Sequence, residues 1–194
     1  LPYIKAAGEA KTKPTQQSVA KLRELGIQPD IIICRTETDL DEENRKKIAM
    51  FCNVERKNVV AFRDVAHTIY ECPLDLRRDK IDRLVVDKLG LGHTPSPALE
   101  EWERFVQRVI HPKHKVTIAV AGKYIELQDA YKSILESFVH AGAVHECKVQ
   151  ITNVHSEFIT EQNVMDKLGH LDGLLVAPGF GLRGVEGKII AVKF

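Results

Sequence analysis

The sequence lacks a long apolar run and an excess of charge of either sign. No hydrophobic stretch approaches the roughly 20 residues that a membrane-spanning helix needs. No charged-then-apolar leader opens the chain, so neither membrane insertion nor secretion is expected. The 28 basic residues nearly cancel the 27 acidic ones and leave a formal net charge of +1. Because no general field would draw the chain onto nucleic acid or a membrane, any anion site must be local.

Cysteine pairs and metal-ligand clusters are also missing. The four cysteines are Cys34, Cys52, Cys72 and Cys147. They form no Cys-x-x-Cys pair and have no histidine at zinc-ligand spacing, which is typical of reduced thiols in a cytoplasmic protein. His111 and His114 are close in sequence, but Pro112 lies between them and no third ligand is evident. No metal site is therefore expected in the chain.

An initiator methionine is missing as well. The chain begins Leu1-Pro2-Tyr3 and stops at Val192-Lys193-Phe194, inside a segment with helical character, so we expect a piece of a longer protein. Its 194 residues are 44% hydrophobic and 28% charged, the composition of a soluble globular protein. That length is enough for one large domain or parts of two.

What the sequence does contain is an alternation of helices and short branched strands. Pro14 suits the first turn of a helix whose apolar positions Val19, Leu22 and Leu25 share one face. The run Ile31-Ile32-Ile33-Cys34 is typical of a strand buried on both faces of a parallel sheet.

The alternation continues along the rest of the chain. A second helix, on which Ile48 and Phe51 would face the core, is followed by a strand over residues 59–62. Residues 90–97 are rich in glycine and proline and predict a linker, and residues 116–122 open a second unit with another strand.

The second unit repeats the same order of elements. A helix is predicted from about residue 129 to residue 140, with Gly142 ending it, and further strands are predicted over residues 149–154 and 174–176. Together these elements predict an α/β protein. In such proteins ligands gather at the loops beyond the carboxyl ends of the strands.

Two loops that precede helices carry candidate chemistry. In Lys11-Thr12-Lys13-Pro14-Thr15-Gln16, ammonium groups and the free N–H groups of a helix N-terminus could together hold phosphates. A solvated helix start explains the same residues more simply, since exposed lysines are common. In Pro178-Gly179-Phe180-Gly181-Leu182-Arg183-Gly184, the glycines would allow an oxyanion loop. An ordinary strand-to-helix turn explains them about equally well.

Several segments follow one another in a recognisable order. They include Lys11 to Gln16, Gly26-Ile27-Gln28-Pro29-Asp30, Lys47-Ile48-Ala49-Met50-Phe51-Cys52-Asn53-Val54, Gly122-Lys123-Tyr124-Ile125-Glu126-Leu127, Asp129-Ala130-Tyr131-Lys132-Ser133 and Gly179-Phe180-Gly181-Leu182-Arg183-Gly184-Val185-Glu186-Gly187-Lys188. This ordered set resembles the CTP synthase family along essentially the whole chain. Members of that family aminate UTP to CTP with ATP and glutamine.

The resemblance implies that the chain spans the junction of two domains. Residues 1–92 would be the C-terminal part of a Rossmann-like, P-loop-related synthetase domain, and residues 93–113 an interdomain linker. Residues 114–194 would be the N-terminal part of a flavodoxin-like class I glutamine amidotransferase domain. The nucleophilic cysteine, the ATP phosphate loop and the Mg²⁺ ligands would lie outside these residues, so the piece alone should be inactive.

The resemblance also assigns roles to individual residues. UTP or the feedback inhibitor CTP would contact Lys11, Thr12, Lys13, Pro14, Thr15, Gln16 and Lys47. The adenine of ATP would lie against Arg63, Asp64 and Val65. Gly179 would hold glutamine through its backbone and help to stabilise the oxyanion. The residues that couple GTP activation to glutamine hydrolysis would be Arg183, Gly184 and Glu186.

One departure from the family pattern is visible, and further partners are implied. Many members have Pro-Gly-Gly-Phe-Gly where this chain has Ala177-Pro178-Gly179-Phe180-Gly181, and Pro178 has no N–H to donate. The resemblance implies Mg²⁺ with ATP, GTP as an allosteric activator, a cytoplasmic homotetramer that can form filaments, and no nucleic-acid or membrane partner.

A noncatalytic module that binds UTP or CTP and serves only assembly is the alternative. The two hypotheses differ in the sequence that follows Phe194. The enzyme should have a Gly-x-Cys-x-Gly nucleophile elbow within a few tens of residues, because glutamine hydrolysis needs a thiolate. Sequencing the full gene tests this, and a stop codon or a replaced cysteine would favour the module.

Overall fold

The computed structural model describes residues 1–4, 6, 8–92, 95–127 and 129–194, which form an α/β protein as expected. The elements in chain order are β1 (Tyr3–Ile4), β2 (Glu9–Ala10), α1 (Lys13–Glu24), β3 (Ile32–Thr36), α2 (Glu42–Cys52), β4 (Val59–Arg63), α3 (Cys72–Arg78), α4 (Ile81–Lys88), α5 (Glu100–Ile110), β5 (His114–Gly122), α6 (Lys132–Val144), β6 (Cys147–His155), α7 (Val164–Leu168), β7 (Gly173–Val176) and α8 (Val185–Lys193). They divide into two compact units, residues 1–99 and 100–194. His93 and Thr94 of the predicted linker lie outside the described residues. No helix within the described ranges is long and apolar enough to cross a membrane.

The first unit is built on a parallel pair of strands. β3 pairs with β4 along all five residues of each strand, and β1 and β2 form a separate antiparallel pair. α2 contributes Ile48 and Cys52, both fully buried, to a core that also contains Val59 of β4 and Val19 of α1. Burial of each large aliphatic side chain stabilises the fold by roughly 1.5–3 kcal/mol. This core sets α1 beside α2.

The other face of β3 is open, contrary to expectation. Alternate residues of the strand are buried, but Ile33 is half exposed, so the prediction of burial on both faces was wrong. Leu25 and Phe51 are also exposed rather than in the core. Leu25 lies beyond the last turn of α1, and α2 turns the side that bears Ile48 and Cys52 inward.

The second unit is a three-stranded parallel sheet in the order β6-β5-β7. The register places Ala121 opposite Val176 and Gly122 opposite His155, so all three strands end at one edge. α6 packs on β6, and α8 packs on β5 and β7. This arrangement places the loops that follow β5 and β7 side by side, where ligand sites of α/β sheets are commonly found.

Gly142 lies inside α6 and does not end it. The helix runs on to Val144, so the expected stop was wrong. A methyl group at Gly142 would lie 2.6 Å from the carbonyl oxygen of Cys147 and 3.3 Å from Cγ2 of Val149. The glycine therefore serves the close approach of α6 to β6.

We expect Gly142→Ala to destabilise the second unit by about 1–3 kcal/mol, because the added methyl forces α6 away from β6. Helix propensity alone predicts the opposite sign, a gain of about 1 kcal/mol. Urea unfolding can be followed through Trp102, the single tryptophan of the chain, which lies in this unit. The matched control is Ser137→Ala on an exposed position of the same helix, which should not lower stability. A stabilised Gly142→Ala variant would contradict the packing account.

Candidate functional site

The shared edge of the β6-β5-β7 sheet brings two loops of the second unit together. One loop follows β5 and begins with Lys123 and Tyr124. The other, residues 177–184, joins β7 to α8 and is here called the glycine loop. The N–H of Ala177 donates to the carbonyl of Ala121 at 2.8 Å, which extends the β5–β7 pairing into the glycine loop. Gly179, the predicted oxyanion residue, therefore lies only two residues beyond the last hydrogen bond between β5 and the glycine loop.

Tyr131, buried just before α6, connects the two loops. Its hydroxyl accepts hydrogen bonds from the N–H of Lys123 at 3.2 Å and from the N–H of Tyr124 at 3.3 Å. The same hydroxyl donates to the carbonyl oxygen of Pro178 at 3.3 Å. One side chain thus joins the end of β5 to the glycine loop.

Two cations add a second set of links. The Lys123 ammonium donates to the carbonyl oxygen of Phe180. Nη2 of Arg183 donates to the carbonyl of Lys123 at 3.3 Å, and Nη1 of Arg183 lies 3.0 Å from Oε1 of Glu157. Both cations lie beside the ring of Tyr124, at 5.0 and 5.9 Å from its centroid. Arg183, predicted to couple GTP binding, is therefore anchored on both sides.

Apart from the side chain of Arg183, the glycine loop is held through its backbone, at the carbonyl oxygens of Pro178 and Phe180. Gly179 has a φ of +152° and Gly181 a φ of +87°, which L-residues rarely adopt. Phe180 and Leu182 are 98% and 93% exposed. A loop with this conformation presents main-chain groups to a ligand, as an oxyanion site requires.

The three residues predicted to couple GTP lie together. Arg183, Gly184 and Glu186 all line a cavity of about 700 Å³ in the second unit. Gly184 has a φ of +75°, and a methyl group there would lie 2.4 Å from Oγ of Ser156, so only glycine suits the position. Glu186 is exposed in the first turn of α8, where the helix dipole favours a carboxylate.

In the first unit, the predicted phosphate motif forms the start of α1. Thr12 is the N-cap residue, but its hydroxyl accepts from Nε2 of Gln16 at 3.1 Å and does not cap the helix. The first turn contains Pro14, exposed Lys13 and partly buried Thr15, and it contains no acidic residue. The positive end of the helix dipole is therefore not neutralised within the helix.

Lys11 and Lys47 belong to one electrostatic group with two glutamates. The Lys11 ammonium donates to Oε1 of Glu9, and Nζ of Lys47 lies 2.6 Å from Oε1 of Glu43. The hydrogen bond from Lys11 lowers the pKa of Glu9, and the charges of Lys11 and Lys47 lower it further. The hydrogen bond with Glu43 raises the pKa of Lys47. Lys47 thus lies close enough to Glu9 for its charge to lower the pKa of Glu9, although α1 and β3 separate the two residues in sequence.

The residues predicted to meet adenine lie at the carboxyl end of β4. Arg63 ends the strand and pairs with Asp39, with 3.0 Å between Nη1 and Oδ1. The Asp64 carboxylate accepts from Nε of Arg35 at 2.6 Å, and Val65 is partly buried. A cavity of about 320 Å³ is lined in part by Arg63. The three residues are consecutive, and both charged side chains already have partners.

A metal site and an activated cysteine do not emerge from the described part of the chain. It contains no group of three or more His, Cys, Asp or Glu side chains that could hold a metal ion. Burial raises the pKa of the Cys34 and Cys52 thiols, the opposite of what a nucleophile requires.

Sequence reasoning missed the residues that hold the site together. Glu9 and Glu43 resemble surface charges in the sequence, and only the fold shows that they pair with the two predicted ligand lysines. No sequence spacing predicts that the hydroxyl of Tyr131 bonds to the carbonyl of Pro178. The one available signal was Gly122, since a glycine at a strand end indicates that another group approaches closely.

Two family models match the chain. The model described as CTP synthase N-terminus matches residues 1–91, and the model described as glutamine amidotransferase class-I matches residues 126–194. Each model covers most of one compact unit.

Similar proteins named CTP synthase occur in bacteria and archaea. The chain is 51% identical to that of Christiangramia forsetii and 53% identical to that of Flavobacterium johnsoniae, over 194 residues each. It is 52% identical to that of Methanocaldococcus jannaschii over 200 aligned positions. Each alignment covers 100% of this chain and 35%, 36% and 37%, respectively, of these relatives. The chain therefore spans about a third of the length of the relatives it matches.

Proposed function

The chain belongs to the CTP synthase family, and we propose that the protein containing it aminates UTP to CTP with ATP and with ammonia from glutamine. The observation that carries this proposal is the order of the two matched segments. A CTP synthase N-terminus is followed on one chain by a class I glutamine amidotransferase segment. A carbon–nitrogen ligase of this kind needs both an ammonia source and an acceptor site.

The proposed architecture places residues 1–92 in the synthetase domain, residues 93–113 in a linker and residues 114–194 in the amidotransferase domain. The parallel β3–β4 pair is compatible with a Rossmann-like domain, and the β6-β5-β7 sheet with a flavodoxin-like one. We also propose the family's homotetramer, its filaments and its cytoplasmic location.

The start of α1 is the proposed UTP and CTP site. Ammonium groups of Lys11 and Lys13, the free N–H groups of the first turn and Lys47 suit a triphosphate. The absence of acidic residues from the first turn and the lowering of the pKa of Glu9 by the charge of Lys47 support this grouping. Residues 63–65 are proposed to lie against adenine.

The proposed reaction has two stages. ATP phosphorylates the 4-oxygen of UTP, which makes it a good leaving group, and ammonia then displaces phosphate at C4. In this chain Lys11, Lys13 and Lys47 would orient the UTP triphosphate and neutralise its charge. Mg²⁺ would balance the charge of the ATP phosphates. The residues proposed to hold it lie outside this chain.

Glutamine hydrolysis is assigned to the second unit. The N–H of Gly179 is proposed to donate to the oxyanion, since Pro178 cannot. Arg183, Gly184 and Glu186 are proposed to couple GTP to this step. Two features support a link between these residues and Gly179: the shared cavity, and the bond from Arg183 to the carbonyl of Lys123, whose ammonium donates to the carbonyl of Phe180.

In the full-length protein, Lys11→Ala should raise the UTP concentration needed for half saturation by about tenfold, because a charge-assisted hydrogen bond to phosphate is lost. CTP inhibition should weaken in parallel. Steady-state kinetics with varied UTP and CTP measure both. Lys21→Ala is the matched control, since Lys21 lies on the same helix, is 75% exposed and pairs with Glu24. If UTP saturation and CTP inhibition are both unchanged in Lys11→Ala, the site assignment fails.

Gly179→Pro should lower glutamine-dependent CTP synthesis by about 10²–10³-fold, because it removes the proposed oxyanion donor. Ammonia added directly should still support synthesis in the same variant, which serves as its own control. An equal loss with both nitrogen sources would indicate general damage and contradict the assignment.

A further inference from the structure

We propose that Tyr131 is a positioning residue for glutamine hydrolysis, whose buried hydroxyl aims the N–H of Gly179 at the developing oxyanion. This inference rests on the proposed function, because it concerns the reaction assigned to the glycine loop. Tyr131 itself touches no substrate in this account and acts through the backbone.

The hydroxyl of Tyr131 uses its full hydrogen-bonding capacity. A phenol has one donor and two acceptor positions. Here the acceptors receive the N–H groups of Lys123 and Tyr124, and the donor reaches the carbonyl of Pro178. Tyr131 is only 5% exposed. A hydroxyl satisfied in this way has little freedom to move.

The end of β5 is shaped to admit this hydroxyl. A methyl group at Gly122 would lie 2.6 Å from Oη of Tyr131 and 2.9 Å from two atoms of its ring. The ring packs in a core cluster with Val120 and Ala177. The ring is therefore buried together with side chains of β5 and of the glycine loop.

The peptide plane carries the effect from Tyr131 to Gly179. The carbonyl of Pro178 and the N–H of Gly179 belong to the same trans peptide, in which they point in opposite directions. Since Tyr131 holds the carbonyl, the N–H of Gly179 must point away from Tyr131. Pro178 offers no N–H of its own, so the direction of this single donor matters more than in a loop with two.

The test is Tyr131→Phe in the full-length protein, which keeps the ring and removes the hydroxyl. We expect kcat with glutamine to fall about tenfold, while KM for glutamine changes less than about threefold, because a misaimed donor acts in the transition state. Synthesis with added ammonia should be unchanged. Gly122→Ala, which displaces the hydroxyl, should give the same pattern. Ser137→Ala is the matched control, because its hydroxyl bonds within α6 to the carbonyl of Ser133.

An equal loss with glutamine and ammonia, or no loss with either, would overturn the proposal. If the unmodified full-length protein makes no CTP, the proposed function fails instead, and hydrogen exchange still tests the geometry. Tyr131→Phe should speed exchange of the amides of Lys123 and Tyr124, which donate to the hydroxyl, relative to Ser137→Ala. Unchanged exchange at these two amides would also overturn the proposal.

Discussion

The parallel pairing of β5 with β7 is the constraint on which the second unit depends. Parallel strands end at the same edge, so the loops after them become neighbours although β6 and α7 separate them in sequence. The pairing continues one residue beyond β7 through Ala177. Tyr131, Lys123 and Arg183 then fasten loops that the sheet has already brought within reach. Without that register these side chains could not join the loop after β5 to the glycine loop.

The absence of a side chain at certain glycines is as important to the second unit as its hydrogen bonds. At Gly122, Gly142 and Gly184 an added methyl would lie 2.6 Å or less from a neighbouring atom. These three glycines admit a tyrosine hydroxyl, a strand carbonyl and a serine hydroxyl, respectively. Only Gly184 among them also has a positive φ. Glycine in this unit therefore serves close packing at least as much as it serves turns.

The sequence predicted the order and type of most elements well, because strand runs of branched residues and a proline at a helix start are local signals. It failed where burial depends on partners. Ile33 and Phe51 have core-like residue types, yet each is half exposed in the described structure. Gly142 had the signature of a helix end, and only the proximity of Cys147 explains its place inside α6. The site residues came from family resemblance, whereas Tyr131, Glu9 and Glu43 required three-dimensional contacts that no spacing encodes.

In the proposed UTP site, Glu9 and Glu43 compete with an incoming anion for the ammonium groups of Lys11 and Lys47. Each ammonium group already has a carboxylate partner, so an incoming anion shares or displaces Glu9 and Glu43. A singly or doubly charged anion binds weakly there, because its attraction to an ammonium group is about as strong as the attraction of the glutamate that it displaces. A polyanion can offset the displacement of both glutamates, because it attracts both ammonium groups at once. The resting ion pairs would thus act as a charge threshold that favours a triphosphate over inorganic phosphate.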